Sequence, residues 1–389
     1  MNVGASRESD EIIAMIMKLT EMPEVISFAG GLPDGELFPI EEMKKVTKEV
    51  LESDGRNALQ YSTTQGIREL REVIAEQIMK EAGVDTTADN LVITCGSQQA
   101  LEFSGRLFLD EGDVVICESP SYLGAITAFQ PYGPKFVEVK MDEHGMDMVD
   151  LEEKLRNNPN TKFIYTVPDF QNPTGITLIV ERRKRMVELA EKYDVMILED
   201  NPYGNLLFEG ERLPAIKSFD KNERVIYHGT FSKIFCPGLR IGWVCAAEEI
   251  VNKYLLIKQS VDLQTNTMAQ KETALYMNMY DIKDNVNKIK EVYKRRRDLM
   301  VKTLKEELPE SCSYTNPAGG LFIWVTLPEE LDASKVLEKA MEYRVGFVPG
   351  IAFYPNGGHR NNFRLNFSSM KDELIVEGVK RLGQVLRSF

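Results

Sequence analysis

Three histidines and five cysteines in 389 residues leave little material for a metal centre or a disulfide framework. His144, His228 and His359 lie far apart with no ligand-like neighbours at short spacing, whereas a metal site needs several such donors to converge. Cys95, Cys117, Cys236, Cys245 and Cys312 show no CxxC spacing. That pattern argues for reduced, packed thiols and against zinc or a cross-linked secreted fold. Basic charge is also short: 47 Lys and Arg face 60 Asp and Glu, a net charge of −13. A nucleic-acid partner is disfavoured, because its phosphates would have to be neutralised. The two basic runs, 182–185 and 294–297, lie in helix-like stretches and read as solvated faces. No stretch approaches membrane-spanning length, and residues 1–10 are polar and acidic where a signal peptide would start positive and turn apolar. A cytoplasmic protein without a membrane partner is expected.

The chain is 43% hydrophobic and 28% charged, an ordinary globular balance that at this length suggests two domains. Between about 90 and 245, short apolar runs alternate with helix-like segments. Strands are expected at 91–94, 114–117, 163–167, 195–199, 225–227 and 243–246, with helices at 98–108 and 181–193. Strands apolar on both faces and separated by helices imply an α/β fold, a mostly parallel sheet flanked by helices. Ligand sites in such sheets form beyond the carboxyl ends of the strands. The polar clusters stand there: Gly96-Ser97-Gln98-Gln99, Asn172-Pro173-Thr174-Gly175, Asp200 and Thr230-Phe231-Ser232-Lys233 each follow a strand and are expected to converge. After about 250 come long helical segments, including a charged one near 283–308. A smaller α+β unit follows, with strands at 320–326, 345–348 and 363–368 and a helix at 333–343. In its last strand Phe363, Leu365 and Phe367 share one face, which puts Arg364, Asn366 and Ser368 on the other.

The segment Thr230-Phe231-Ser232-Lys233-Ile234-Phe235-Cys236-Pro237-Gly238-Leu239-Arg240-Ile241-Gly242-Trp243 resembles the lysine signature of class I aminotransferases, the fold-type-I pyridoxal-phosphate enzymes. Seven further landmarks stand in the family's order: Ala29-Gly30-Gly31-Leu32-Pro33, Gln60-Tyr61-Ser62, Gly96-Ser97-Gln98-Gln99-Ala100, Pro120-Ser121-Tyr122, Asn172-Pro173-Thr174-Gly175, Asp200-Asn201-Pro202-Tyr203 and Phe363-Arg364-Leu365-Asn366-Phe367. The resemblance covers nearly the whole chain and is closest to the 2-aminoadipate and kynurenine aminotransferase branch. It implies an aspartate-aminotransferase-like fold, with a large cofactor-binding domain over 46–286 and a small domain from 1–45 and 287–389.

The resemblance also implies the chemistry: transfer of an amino group between an L-α-amino acid (aromatic, large aliphatic or 2-aminoadipate-like) and a 2-oxo acid such as 2-oxoglutarate, with pyridoxal 5′-phosphate as cofactor and ping-pong kinetics. Lys233 would hold the cofactor covalently and then move a proton, with Asp200 and Tyr203 beside it in the catalytic set. A lone lysine has a pKa of about 10.4 and is normally solvent-exposed, so this role needs a site that favours its neutral form. The phosphate would meet Arg240, Thr230, Ser232 and the helix opened by Ser97-Gln98, where Ser97 also reads as an N-cap. Asp200 would face the pyridine nitrogen, an opposite charge worth about 1–3 pKa units. Asn172 and Tyr203 would hydrogen-bond the ring oxygen, and Tyr122 would stack on the ring. Tyr61 would reach the phosphate of a partner subunit, making a homodimer with sites at its interface. Arg364 would bind the substrate carboxylate through a planar fork that lysine lacks, with Asn172 beside it and the Gly31 backbone close by.

Two rivals share the machinery: a β-lyase, and a non-enzymatic ligand sensor of the kind joined to a DNA-reading domain. The region before Ala29 is too short for such a reader. Relatives in the 2-aminoadipate branch often carry an arginine in the N-terminal helix for a distal carboxylate. No arginine stands between Glu8 and Gly55, and Glu11-Ile12-Ile13-Ala14-Met15-Ile16-Met17 is largely apolar. A preference for aromatic or large aliphatic amino acids over acidic ones is therefore expected, unless Lys18 supplies the missing charge.

Overall fold

The computed structural model describes Met22 and residues 24–389. After β1 (Ile26–Ser27) comes an eight-stranded sheet built from β2 (Leu91–Cys95), β3 (Val114–Ser119), β4 (Lys135–Asp142), β5 (Gly145–Met146), β6 (Thr161–Thr166), β7 (Met196–Asp200), β8 (Val225–Thr230) and β9 (Ile241–Cys245). The strands lie side by side in the order β2-β9-β8-β7-β6-β3-β4-β5. From β8 across to β4 the pairing is parallel. β9 runs antiparallel to both β8 and β2, so β2 points the same way as the parallel set.

Both faces of this sheet are covered, and the two-residue period of a strand decides which side chain goes where. Phe163, Tyr165, Leu198 and Ile226 pack with Leu101, Phe103 and Phe129 on one side. Their neighbours Ile164, Ile197 and Val225 pack with Leu151, Met186 and Leu189 on the other. Each such burial contributes about 1.5–3 kcal/mol. Helix starts are marked by acidic caps: the Asp147 carboxylate accepts from the Val149 and Asp150 N–H groups, and Asp281 and Asp332 cap the helices Ile282–Glu307 and Ala333–Glu342.

The 26-residue helix Ile282–Glu307 leads to a second sheet. It contains β10 (Ser313–Tyr314) and β11 (Phe322–Thr326); after β12 (Val345–Gly346) it is completed by β13 (Val348–Pro349) and β14 (Asn362–Asn366). The order is β10-β11-β14-β13, all antiparallel, while β12 pairs in parallel with β1.

Two expectations are corrected here, and one pair of strands is new. The single strand expected at 345–348 is two: the backbone divides at Phe347, whose ring packs on Phe363 at 4.4 Å, and the halves join different sheets. The basic runs are only partly solvated. Lys184 and Arg295 are exposed, but Arg183, Arg296 and Arg297 are buried. Helical spacing turns those arginines inward, where Arg183 pairs with Asp169 at 2.6 Å and donates to the Leu178, Pro168 and Pro214 carbonyls. Finally, β4 and β5 were not expected from the sequence. β4 lies near the sheet edge and is mostly half-buried, so its apolar signal is diluted by lysine and glutamate. Among the described residues no helix is long and apolar enough to cross a membrane.

Candidate active site

A cavity of about 520 Å³ opens where the parallel strands end. Ser97 follows β2, Tyr122 follows β3, Asn172 follows β6, Asp200 ends β7, and Thr230 ends β8 just before Ser232 and Lys233. Arg240 precedes β9, and because β9 runs the opposite way its start lies at the edge where the others finish. Gly31 and, from the second sheet, Arg364 close the far wall. The strand-end clusters therefore converge. Of the residues nominated from the sequence, only Tyr61 does not line the cavity; it is 76% exposed on the chain after the helix Ile40–Ala58.

Lys233 Nζ donates to the Gly31 carbonyl at 2.9 Å. Burial, reinforced by the positive charges of Arg364 and Arg240, lowers its amine to about 8. The lysine is thus within reach of its neutral, nucleophilic form near physiological pH. Asp200 is buried, and one carboxylate oxygen, Oδ2, accepts from the Tyr165 hydroxyl at 2.9 Å. The other, Oδ1, is buried without a protein partner. Burial raises the Asp200 carboxyl to about 7, against the opposing pull of the Tyr165 bond.

Arg364 lies on β14 between β11 and β13, so the parity argument finds its face, but that face is packed too. Its guanidinium stands over Phe322 at 4.2 Å and near Phe353 at 5.2 Å. One terminal nitrogen donates to Asn172 Oδ1 at 2.8 Å and the other to the Ala29 carbonyl at 2.6 Å. Nε is buried and unpartnered. Arginine has five N–H donors, so the anchored group keeps donors for an incoming anion. Its pKa is lowered to about 10 by burial, and it stays charged.

The opposite end is an anion cradle. The helix Gly96–Phe108 points its first turn into the cavity, and its N-cap is Cys95 rather than Ser97. Ser97 falls inside the first turn because the helix starts at Gly96, whose φ is a left-handed +68°, two residues earlier than expected. Gly96 also has to be small: a Cβ there would stand 2.4 Å from Arg240 Nη2. Across from it, a Cβ on Gly242 would stand 2.7 Å from the Ser97 nitrogen. Arg240 itself has a left-handed backbone, φ +56°, and one terminal nitrogen lies 3.4 Å from Ser232 Oγ. The Thr230 hydroxyl donates to Ser232 Oγ at 2.9 Å and accepts from the Ser232 N–H, so it orients that serine. Gln98 donates to the Gly124 carbonyl at 2.8 Å.

A profile described as "Aminotransferase class I and II" matches residues 23–382. The chain belongs to the class I and II aminotransferases. It is 45% identical over 379 residues to aromatic-amino-acid aminotransferase 1 of Thermococcus litoralis, covering 96% of this chain and 91% of that one. The kynurenine aminotransferase of Pyrococcus horikoshii, solved in complex with PMP and with KYN as substrates and KYA as products, matches with a TM-score of 0.93 and 41% identity. That match covers 99% of this chain and 97% of the other. The α-aminoadipate aminotransferase of Thermus thermophilus, complexed with N-(5′-phosphopyridoxyl)-L-leucine, matches with a TM-score of 0.90 and 37% identity over 98% and 97%. The fold is that of the fold-type-I, aspartate-aminotransferase-like enzymes, and the protein is a pyridoxal-phosphate-dependent amino-acid aminotransferase.

The cavity of this aminotransferase fits that cofactor. The unpartnered Asp200 Oδ1 offers an acceptor to a protonated ring nitrogen, and the Gly96 helix start with Ser97, Ser232 and Arg240 offers donors to a phosphate. Sequence reasoning missed Tyr165, Phe322, Phe353, Leu123 and Thr127. Phe322 sits in a strand that was expected. Phe353 had no local signal, since it reaches the site only through the pairing of β13 with β14.

Proposed function

We propose that this aminotransferase takes its amino group from aromatic or large aliphatic amino acids in preference to acidic ones, and that it works as a homodimer. The observation that carries the substrate reading is the lining of the cavity. Among the described residues its only charged side chains are Lys233, Asp200, Arg240 and Arg364. Its other lining residues include Leu32, Pro33, Leu123, Thr127, Phe322 and Phe353, and the Thr127 hydroxyl donates to the Leu123 carbonyl at 2.9 Å. A second carboxylate would be buried there without a counter-charge. The apolar stretch 11–17 and Lys18 lie outside the described residues. Relatives named for aromatic amino acids and for kynurenine support the same reading. A donor panel tests it: kcat/KM for leucine, methionine and the aromatic amino acids should exceed that for glutamate and 2-aminoadipate, and the reverse order would sink the proposal.

The residues divide the work as follows. When bound, pyridoxal 5′-phosphate supplies an electron sink for negative charge at the substrate Cα. Arg364 grips the α-carboxylate, with Asn172 and the Ala29 carbonyl fixing the guanidinium so that Cα is presented to Lys233. Lys233 Nζ would anchor the cofactor and, once freed, would act as the base that takes the proton from the substrate Cα and as the acid that returns it. Asp200 would hold a positive charge on the ring nitrogen, and Tyr203 with the Asn172 side-chain amide would hold the ring oxygen. Tyr122 would lie against the ring, and Gly31 would give the substrate a close backbone wall. Ser97, Gln98, Thr230, Ser232 and Arg240 serve the phosphate end. Tyr61, exposed in the single chain, serves the phosphate of the partner's site. A large domain over 46–286 and a small one from 1–45 and 287–389 suit this division, since each sheet falls within one of them. A cytoplasmic setting suits the free cysteines, two of which are buried thiols.

A further inference from the structure

Behind Asp200, on the neighbouring strand, stands a residue that touches neither cavity nor solvent. Tyr165 on β6 is 1% exposed, and its strand pairs with β7 in a register that sets Tyr165 opposite Leu198, two residues short of Asp200. The side chain leans along the strand, and its hydroxyl meets Asp200 Oδ2 at 2.9 Å. It cannot swing away, because Phe129 packs edge-on against its ring at 5.7 Å and is itself held against Phe163 at 5.1 Å. The carboxylate is thereby divided: one oxygen has a permanent donor and the other, Oδ1, is buried with none.

We infer that Tyr165 is a positioning residue for the transamination: its hydroxyl fixes the rotation of the Asp200 carboxylate and keeps it a weak base, so that Oδ1 meets the ring nitrogen and leaves the proton there. The physical reason lies in the surroundings. Glu118, Tyr122 and Tyr203 also face Asp200, and none of them donates a hydrogen bond to it. Burial makes the carboxylate more basic, and the Tyr165 bond opposes that effect. Without the bond, Asp200 competes with the ring nitrogen for the shared proton, and a ring that loses its proton is a poorer electron sink. The phenol is itself held far above its ordinary pKa by burial and by Asp200, so it remains a donor throughout the working pH range.

This inference rests on the role proposed for Asp200, and the experiment separates the two. Holoenzyme is prepared with cofactor carrying 15N at the ring nitrogen, as wild type, Tyr165→Phe and Asp200→Ala, and the 15N chemical shift is recorded beside steady-state kinetics. Tyr165→Phe should lower kcat about 10- to 100-fold, the size of one hydrogen bond to a charged group. The KM for the amino acid should stay within about threefold, and the 15N signal should move from the protonated toward the unprotonated position. A merely structural role would not move that signal. If Tyr165→Phe does not fold, 3-fluorotyrosine at 165 keeps the shape and strengthens the donor; the ring should then stay at least as protonated as in wild type, and a shift toward the unprotonated position would overturn the inference. A phenylalanine variant with unchanged 15N shift and kcat, beside an Asp200→Ala that shifts the signal, overturns the role of Tyr165 alone. An unchanged signal in Asp200→Ala overturns the reading of Asp200 itself.

Discussion

Among the described residues two arginines line the cavity, and they are held in opposite ways. Arg364 is 5% exposed, packed between Phe322 and Phe353 and bonded at 2.6 and 2.8 Å to fixed acceptors. Arg240 is exposed toward the cavity, sits on a left-handed backbone, and finds protein acceptors only at 3.4 Å. Their different tasks account for this. A substrate comes and goes at every turnover, so its receptor must be oriented beforehand or the cost of ordering it recurs each time. A resident cofactor stays, and one loosely held guanidinium beside a helix start is enough to complete its phosphate site.

If that contrast is right, the two arginines fail differently. The largest effect is expected from Arg364→Ala: kcat/KM for amino acids should fall about 10³-fold, the cost of losing a buried, bidentate charge pair. Cofactor affinity, measured by fluorescence titration, should stay close to wild type. Arg364→Lys should recover little, because an ammonium lacks the planar fork; near-normal activity in it would break the comparison.

Next in size, Arg240→Ala should weaken cofactor binding about 100-fold while kcat at saturating cofactor falls by less than about tenfold. Smaller again is Gly96→Ala, which adds a Cβ 2.4 Å from the Arg240 guanidinium at a φ of +68°. That should displace the arginine and cost about tenfold in cofactor affinity, leaving the KM for the amino acid unchanged. The smallest effect is electrostatic. In cofactor-free protein, acylation of Lys233 should show a pH midpoint near 8, and Arg364→Met should raise it. The sign follows from the charges: removing a neighbouring cation favours the protonated amine, so a higher pH is needed to free it. A downward move would contradict the placement of the two groups.

Much of this arrangement was legible in the chain because strand ends are local features. Asp200 follows its apolar strand directly, and Lys233 and Arg240 share one short segment, so their convergence needed only the rule that sites form beyond parallel strands. Arg364 was placed on the correct face by parity, but its burial was not readable, since that depends on β11 and β13 flanking it. Arg183, Arg296 and Arg297 looked like solvated charge, and nothing within their helices announces the loop carbonyls and acids that take them in. Tyr165 lies within the strand expected at 163–167, where nothing local singles out its hydroxyl. Its hydroxyl acquires meaning only when β7 is laid beside β6 with Asp200 two residues beyond it.

The central claim is that the Lys233 amine carries the reaction in a cavity whose other groups are fixed around it. The visible spectrum of the holoenzyme tests it most directly, recorded while an amino acid and then a 2-oxo acid are added, in wild type and in Lys233→Ala. Wild type should lose its long-wavelength absorption with the first addition and regain it with the second. Lys233→Ala should lack the lysine-bound absorption and show essentially no turnover. A Lys233→Ala enzyme that cycles at a rate within about tenfold of wild type would contradict the account.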